Sequence, residues 1–521
     1  MRPFPWHPPV EPSGLEQTII KRIKRAKLFV FLRIHRHELF NEAFQEELAT
    51  LYKASTEGQP PIPPAQLALA TILQAYTGVS DDEVIEATTM DRRWQLVLDC
   101  LDAQEAPFSK GTLVAFRKRL IEKHMDRRLV ERTIEVAAKS LAFGSAHLRA
   151  ALDSSPLWGA SRVEDTYNLL GHALRKALSV IARQQGRGLA EVATEAGASL
   201  VGGSSLKAAL DLNWDDPTER DQALGLVLGA LSTVERWLDG KPEGSEYPAV
   251  QQSVATAKHI KLQNVETPPE GKAVLRKGVA KDRRIAIEDA EMRHGRKSRS
   301  VKVDGYKRHI LCDLDTGLVR AVGVTAANVP EASVTRAIEA DLACQSAILT
   351  ELHIDRAYLS STLVRERSAT LQVYCKAWPV QTTKHFPKNA FSLDWERCIL
   401  HCPNQIELPF TLGGTVHFPP EICAVCPLKG QCTASPHGRS VKIHPDERLF
   451  AELRQRQLTP AGRAKLRERV AVEHSLAHIG RWQGWRARYR GSRKNLFDLR
   501  RCAVVHNLHV LARHPDFSQA A

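Results

Sequence analysis

His147–Asp153 reads HLRAALD, a short apolar run that ends in an acid and is followed at once by Ser154, Ser155 and Pro156. A run of this kind bounded by turn residues predicts a strand that stops at Asp153. The pattern returns at Ile348–Asp355, ILTELHID, which predicts a second strand closed by Asp355. Between them, Arg283–Glu288 (RRIAIE) is short and rich in β-formers. Tyr306–Leu314 and Leu318–Thr325 flank the turn Asp315, Thr316 and Gly317, which predicts a β-hairpin. Glu331–Leu342 predicts a helix, and Leu371–Cys375 (LQVYC) a further strand. Strands in this order, separated by helical stretches, predict a mixed α/β sheet with helices packed on its faces.

Outward from this sheet the chain is helical. Leu15–Lys53 is a basic helical segment that ends at the breaker Gly58–Pro64 (GQPPIPP). Gln66–Tyr76 is apolar enough to be a buried helix, and Ser80 with Glu83 forms a capping box that opens another. Ser109–His124 is amphipathic, with Arg117, Lys118 and Arg119 expected on its polar side. Short helices ending in a basic one resemble a helix-turn-helix arrangement, with a plain helical packing domain as the alternative. After the first strand, Ser161 and Glu164 are expected to cap a helix with the stripe Val163, Tyr167, Leu170, Leu174 and Leu178. Asp216, Pro217 and Glu219 begin another, which Gly240 and Pro242 end.

The 521 residues carry a net charge of +14 and an isoelectric point near 9.3, with ordinary hydrophobic (43%) and charged (25%) content. Such a balance points to a polyanionic partner, nucleic acid before membrane surface. The longest apolar runs, such as Lys27–Ile34 (KLFVFLRI), are too short and too charged to span a bilayer. The N-terminal MRPFPWHPPVEPSG lacks an apolar signal core, so the protein is expected to stay where it is made.

Near the C-terminus, Ala461–Arg501 reads AGRAKLRERVAVEHSLAHIGRWQGWRARYRGSRKNLFDLRR. At a helical period Leu466, Val470, Glu473 and Ala477 share one face, which sets a carboxylate in an apolar stripe. Arg469, four residues earlier, can pair with it as an ordinary ion pair, or the helix can deliver Glu473 into a site built elsewhere. Basic residues then alternate with aromatics: Arg481, Arg486, Arg488, Arg490, Arg493, Lys494, Arg500 and Arg501 among Trp482, Trp485 and Tyr489. Such interleaving fits a phosphate backbone and unstacked bases. Ligand groups converge at strand ends in open α/β sheets, so Asp153, Asp355 and Glu473 can meet at one place. Three acids in close array need a cation, and an all-oxygen set selects Mg²⁺ or Mn²⁺, provided His353 and His474 stay outside. Two such ions suit in-line displacement at a phosphodiester. Asp289, Asp304, Asp313 and Asp315 are rival acids.

Ala151–Leu170, Glu288–His309, His353–Ser360 and Arg469–Gly491 resemble the characteristic blocks of DDE transposases from bacterial insertion sequences, in particular the group with a helical N-terminal domain and a Cys-rich insert before the final Glu. The resemblance runs from about residue 60 to 510. It implies a ribonuclease-H-like core with Asp153, Asp355 and Glu473 as the metal-binding triad, and a dimer or higher oligomer bridging DNA ends. Arg469 matches the Arg of the family's Y-x2-R-x3-E-x6-K signature, whereas Leu466 stands at its Tyr and Gly480 at its Lys; Arg481 is a candidate for the missing phosphate contact. The resemblance also sets the basic stretch Arg293, His294, Arg296, Lys297, Arg299, Lys302, Lys307 and Arg308 near DNA; without DNA it is expected to be a solvated loop.

Ten cysteines in a chain with no signal core read as reduced thiols or metal ligands. Cys402, the CxxC pair Cys423 and Cys426, and Cys432 have the arithmetic of a structural Zn²⁺ site, with Cys398 in reserve and a metal-free cluster as the alternative. The expected organisation is then a helical DNA-end-binding domain (1–140), the first core strand (141–156), a mainly helical insert (157–270), the core (271–385), the Cys-rich insert (386–445) and closing helices with Glu473 and the basic strip (446–521). The expected function is a nucleoid-associated cytoplasmic transposase that cleaves element ends and joins them to target DNA. A catalytically silent DNA-binding descendant and a metal-dependent nuclease without strand transfer are the alternatives.

Overall fold

In the computed structural model, which describes residues 2–54, 57–240, 247–269, 271–278, 280–298, 300–378 and 384–518, a mixed sheet is built around β1 (His147–Trp158). On one side β1 pairs antiparallel with β2 (Lys302–Asp313), and β2 pairs antiparallel with β3 (Val319–Ala326). On the other, β1 pairs parallel with β4 (Ile348–Ile354), and β4 with β5 (Gln372–Cys375). The order β3-β2-β1-β4-β5, three antiparallel strands followed by two parallel ones, is consistent with a ribonuclease-H-like core. A short strand, Arg293–Arg296, adds to the far end of β2.

Alternation along the strands gives the sheet two apolar faces. Leu148, Ala150, Leu152, Leu352 and Ile354 pack under the helix Thr335–Ala343. Ala151, Ile310, Cys312, Val319 and Val322 face a larger core shared with the N-terminal helices and the C-terminal helix Ser492–Arg513. Pro64–Thr77, mostly apolar, is buried from Pro64 to Ala75 in that core. The expected capping box at Ser80 and Glu83 forms, and Ser109 caps Lys110–Glu122. Arg117 is not on a polar face: it is buried and bonds Asp81 and the Gln74 side chain.

β1 does not stop at Asp153. Ser154 N–H goes to Asp153 Oδ1 and Trp158 N–H to Trp485 O, so Pro156, between them, turns its nitrogen to an edge where no ladder bond is lost. Arg283–Glu288 is not a strand. Gln263 bonds both backbone groups of Arg284, and Glu164 takes the N–H of Ile287, which satisfies this buried segment without a ladder. With Glu164 so used, Asp165 caps the helix Thr166–Gln184. Thr166–Gln184, Pro217–Asp239 and Pro248–Asn264 form a separate core between β1 and β2. Pro242 lies outside the described residues. Residues 391–443 fold into two small sheets on a core of Phe391, Leu400, Phe410, Phe418 and Ile443. Among the described residues no helix is long and apolar enough to cross a membrane.

Buried ions fasten the C-terminal helix to its neighbours. Asp126, 1% exposed, receives Arg493 at 2.6 Å and Arg500 at 3.2 Å, and Arg500 reaches on to Asp341. Removing one partner of a buried pair costs about 3–5 kcal/mol. Asp126→Asn is therefore expected to lower unfolding stability by about 3 kcal/mol in urea titration, and a loss under 1 kcal/mol would contradict this role.

Candidate functional site

The β1–β4 register pairs Leu152 with Ile354, where the parallel ladder ends, so the next residues, Asp153 within β1 and Asp355 just past β4, lie side by side. Asp153 is 9% exposed, and burial raises its pKa above the usual carboxylate range while the Arg469 guanidinium and the Ser154 N–H oppose that rise. Asp355 is exposed, and its Oδ1 accepts the Arg356 N–H at 2.6 Å. Glu473 lies in the first turn of the helix Val470–Gln483, where the helix dipole favours an anion.

The single helix expected through this region is two, Pro460–Glu468 and Val470–Gln483, joined at Arg469. The buried stripe is Val472, Leu476 and Ile479, one position out of the expected phase. Val470, Glu473 and Ala477 form the open face of the helix, so Glu473 looks out of the core and the desolvation cost expected of it falls away. Arg469 Nη1 lies 2.5 Å from Asp153 Oδ2 and its Nη2 lies 2.7 Å from Glu473 Oε1. The three acids line one open cleft of about 660 Å³ with Lys297, Arg308, Arg481 and Trp485.

The cations differ in availability. Lys297 Nζ bonds Ser154 O, and the Arg481 side chain is exposed in the cleft. Arg308, 1% exposed, bonds Ser155 Oγ, Gln483 Oε1 and Gly484 O at the C-terminal end of the Glu473 helix. Arg293 pairs with Asp282, Lys307 with Val329 O and Glu331, and Arg490 with Glu288. Arg486 bonds Gly159 O, and Arg488 bonds Gly78 O. The basic stretch is not a loop: Arg296 lies on the short strand opposite Lys302, and Arg299 falls outside the described residues. Nor is the basic–aromatic strip one open surface. Arg493, Arg500 and Arg501 are held in ion pairs, and Trp482 stacks on His509, whereas Trp485 is 67% exposed. The rival acids are engaged elsewhere: Asp289 with Tyr306 Oη, Asp304 with His294, Asp313 with the Asp315–Thr316 backbone and Asp315 with Arg149.

Beneath the cleft lies a cluster that sequence inspection missed. Glu351, His353 and Glu468 place their donor atoms within 4.8 Å of one another, the one such group of three among the described residues. Arg149 bonds Glu351 at 3.0 Å and also Glu468, and Lys465 bonds Glu351 at 3.0 Å. With two cations already on the carboxylates, this is an ion network that ties β1, β4 and the helix before Glu473. The signal was present in period-2 alternation: Arg149 and Asp153 share a face, as do Glu351, His353 and Asp355. Glu351→Ala leaves Arg149 and Lys465 short of an anion and is expected to cost about 2 kcal/mol of stability. An unchanged melting curve would show that the network does not fasten this layer.

Cys402, Cys423, Cys426 and Cys432 line one small apolar pocket of about 30 Å³ with Phe386, Phe391 and Phe418, whereas Cys398 is exposed outside it. Cys402 Sγ accepts the Ile406 N–H at 3.4 Å. Among the described residues, no three of these sulfurs all lie within 4.8 Å of one another.

Two family models match the chain: the transposase DDE domain over residues 411–512 and the transposase domain DUF772 over residues 20–119. Both describe transposases, and together with the fold they are consistent with a DDE transposase of an insertion sequence. The first match covers Glu473 and three of the pocket cysteines; Asp153 and Asp355 lie outside both. Neither a curated relative nor a solved structure matches the chain.

Proposed function

We propose that this protein is a DNA transposase that cleaves the ends of its element and joins them to target DNA, with Asp153, Asp355 and Glu473 holding two Mg²⁺ or Mn²⁺ ions. The observation that carries it is the convergence of three carboxylates, two from adjacent parallel strands where their pairing ends and one from a packed helix, on a single cation-lined cleft. The donors fit a hard divalent ion. They are oxygens alone, since His353 is buried under the cleft and His474 does not line it. Two of them already share one cation, Arg469. Bound there, such ions supply activation of a water or 3′-hydroxyl and stabilisation of the leaving oxygen.

The chain itself does the positioning. Lys297 and Arg481 face the cleft as phosphate donors, and Arg308 fixes the end of the Glu473 helix against β1. Trp485, exposed beside them and edge-on to Trp158, offers a stacking surface to a base. Arg296, Arg486 and Arg488 extend the positive rim along which a duplex would lie, and Arg293, Lys307 and Arg490 would join it by exchanging Asp282, Glu331 and Glu288 for phosphate. A homodimer on DNA, bridging two element ends, completes the proposal.

Labelled duplex carrying the DNA that flanks the gene tests it directly. Joined product with Mg²⁺, none with EDTA, and a loss of at least about a hundredfold in Asp153→Asn is the expected outcome. Cleavage without joining would leave a nuclease, and retarded but uncut DNA a binding protein.

For the Cys-rich insert, the proposal is a structural Zn²⁺ held by Cys402, Cys423, Cys426 and Cys432, on the chemistry of four thiols around one pocket. About one zinc per chain is expected by elemental analysis, lost with Cys423→Ser/Cys426→Ser. Metal-free protein with a melting curve insensitive to chelator would refute it.

A further inference from the structure

Arg469 is the link between two helices, and its guanidinium spans two of the three cleft acids. It takes one oxygen from Asp153 at 2.5 Å and one from Glu473 at 2.7 Å. A divalent ion held by Asp153 and Glu473 draws on the same carboxylates, and a guanidinium lodged between them opposes it by charge and by volume. The Arg469 side chain is 28% exposed, so it has room to turn into the cleft. What it would meet there is an environment already positive, with Lys297 and Arg481 on the same walls. A freed guanidinium in that position is stable only against an anion. Its planar fork makes the same bidentate contact with phosphate as with carboxylate, which an ammonium does not.

We infer that Arg469 is an exchange element: it neutralises Asp153 and Glu473 in the free protein and passes to a DNA phosphate when divalent ions take the carboxylates. Metal and DNA then bind interdependently, because each removes a competitor of the other. The inference rests on the metal-site assignment made under Proposed function. By linkage, the factor by which DNA tightens metal binding equals the factor by which metal tightens DNA binding. It also assigns Arg469 a positioning part before DNA arrives: without it, Asp153 and Glu473 repel across the cleft.

Mn²⁺ binding to the full chain, followed by the electron paramagnetic resonance of the free ion, reads this without any turnover. The probes are Mn²⁺ alone and Mn²⁺ with a short non-specific duplex, with ion bound by the duplex itself subtracted. In the wild type the duplex is expected to tighten Mn²⁺ binding at least about fivefold. Arg469→Gln is expected to bind Mn²⁺ more tightly than the wild type without DNA and to lose its response to the duplex. Arg469→Lys, whose single ammonium does not span both acids, is expected to fall between them, and it serves the test should the Gln variant melt at assay temperature. Asp153→Asn separates the two claims. If it abolishes Mn²⁺ binding while both Arg469 variants keep wild-type affinity and response, the exchange is overturned and the metal site stands. Mn²⁺ binding that Asp153→Asn leaves untouched overturns the metal site and the exchange together.

Discussion

Carboxylates gathered at one point repel, and much of this molecule is organised around meeting that repulsion with fixed cations. The parallel pairing of β1 with β4 forces Asp153 and Asp355 side by side, because the register leaves them no other place. Arg469 answers from the helix junction and Lys297 from the hairpin opposite. One layer down, Arg149 and Lys465 answer Glu351 and Glu468 in the same way. The two layers share β1, β4 and the helix pair around Arg469. The angle at which Glu473 enters the cleft is therefore fixed by ion pairs below it as well as by the apolar contacts of Val472, Leu476 and Ile479.

The insertions follow from what the sheet tolerates. β1 and β2 pair along almost their whole length although a large helical block separates them in sequence. Closing a longer loop costs little more than closing a short one, since the entropy grows only with the logarithm of length. A block with its own apolar core carries its own ordering cost, so the hairpin survives the interruption. The Cys-rich insert between β5 and the closing helices obeys the same logic with a smaller core, which is where extra fastening by a metal has the most to contribute.

The fold was largely legible, because strands buried on both faces leave short apolar runs bounded by turns: the hairpin, the strand before Asp355 and the Ser80 cap stand where the pattern put them. It failed where a side chain did the work of a strand partner. RRIAIE looks like a strand and is none, since Gln263 and Glu164 satisfy its backbone, and Pro156 looks like a stop and is none, since its nitrogen faces an edge. At the candidate site, the strand acids could be read from their positions. The phase of the Glu473 helix could not: Val470 and Ala477 suggest an apolar stripe through Glu473, whereas the helix that begins after Arg469 buries Val472, Leu476 and Ile479, one residue out. The network under the cleft escaped because each of its members, taken alone, looks like an ordinary surface charge.

The same point bears on the net charge of +14. Read as composition, it promises a broad polyanion-binding surface. Read in place, a good part of it is interior: Arg33, Arg36, Arg308 and Arg501 are among the largest fully buried side chains, and Arg33 and Arg501 each pair with an acid inside the protein. Arginine serves there because its fork satisfies several acceptors at once while keeping its charge, so it can join helices that apolar contact alone would leave free to slide. An excess of basic residues is thus divided between two tasks, and counting it cannot say how. What marks the cleft is not the density of cations around it but the few, Lys297 and Arg481 foremost, that face it without a carboxylate of their own within bonding distance among the described residues. A polyanion-binding surface is defined by charge the fold has left uncompensated, and Lys297 and Arg481 carry such charge beside the three acids.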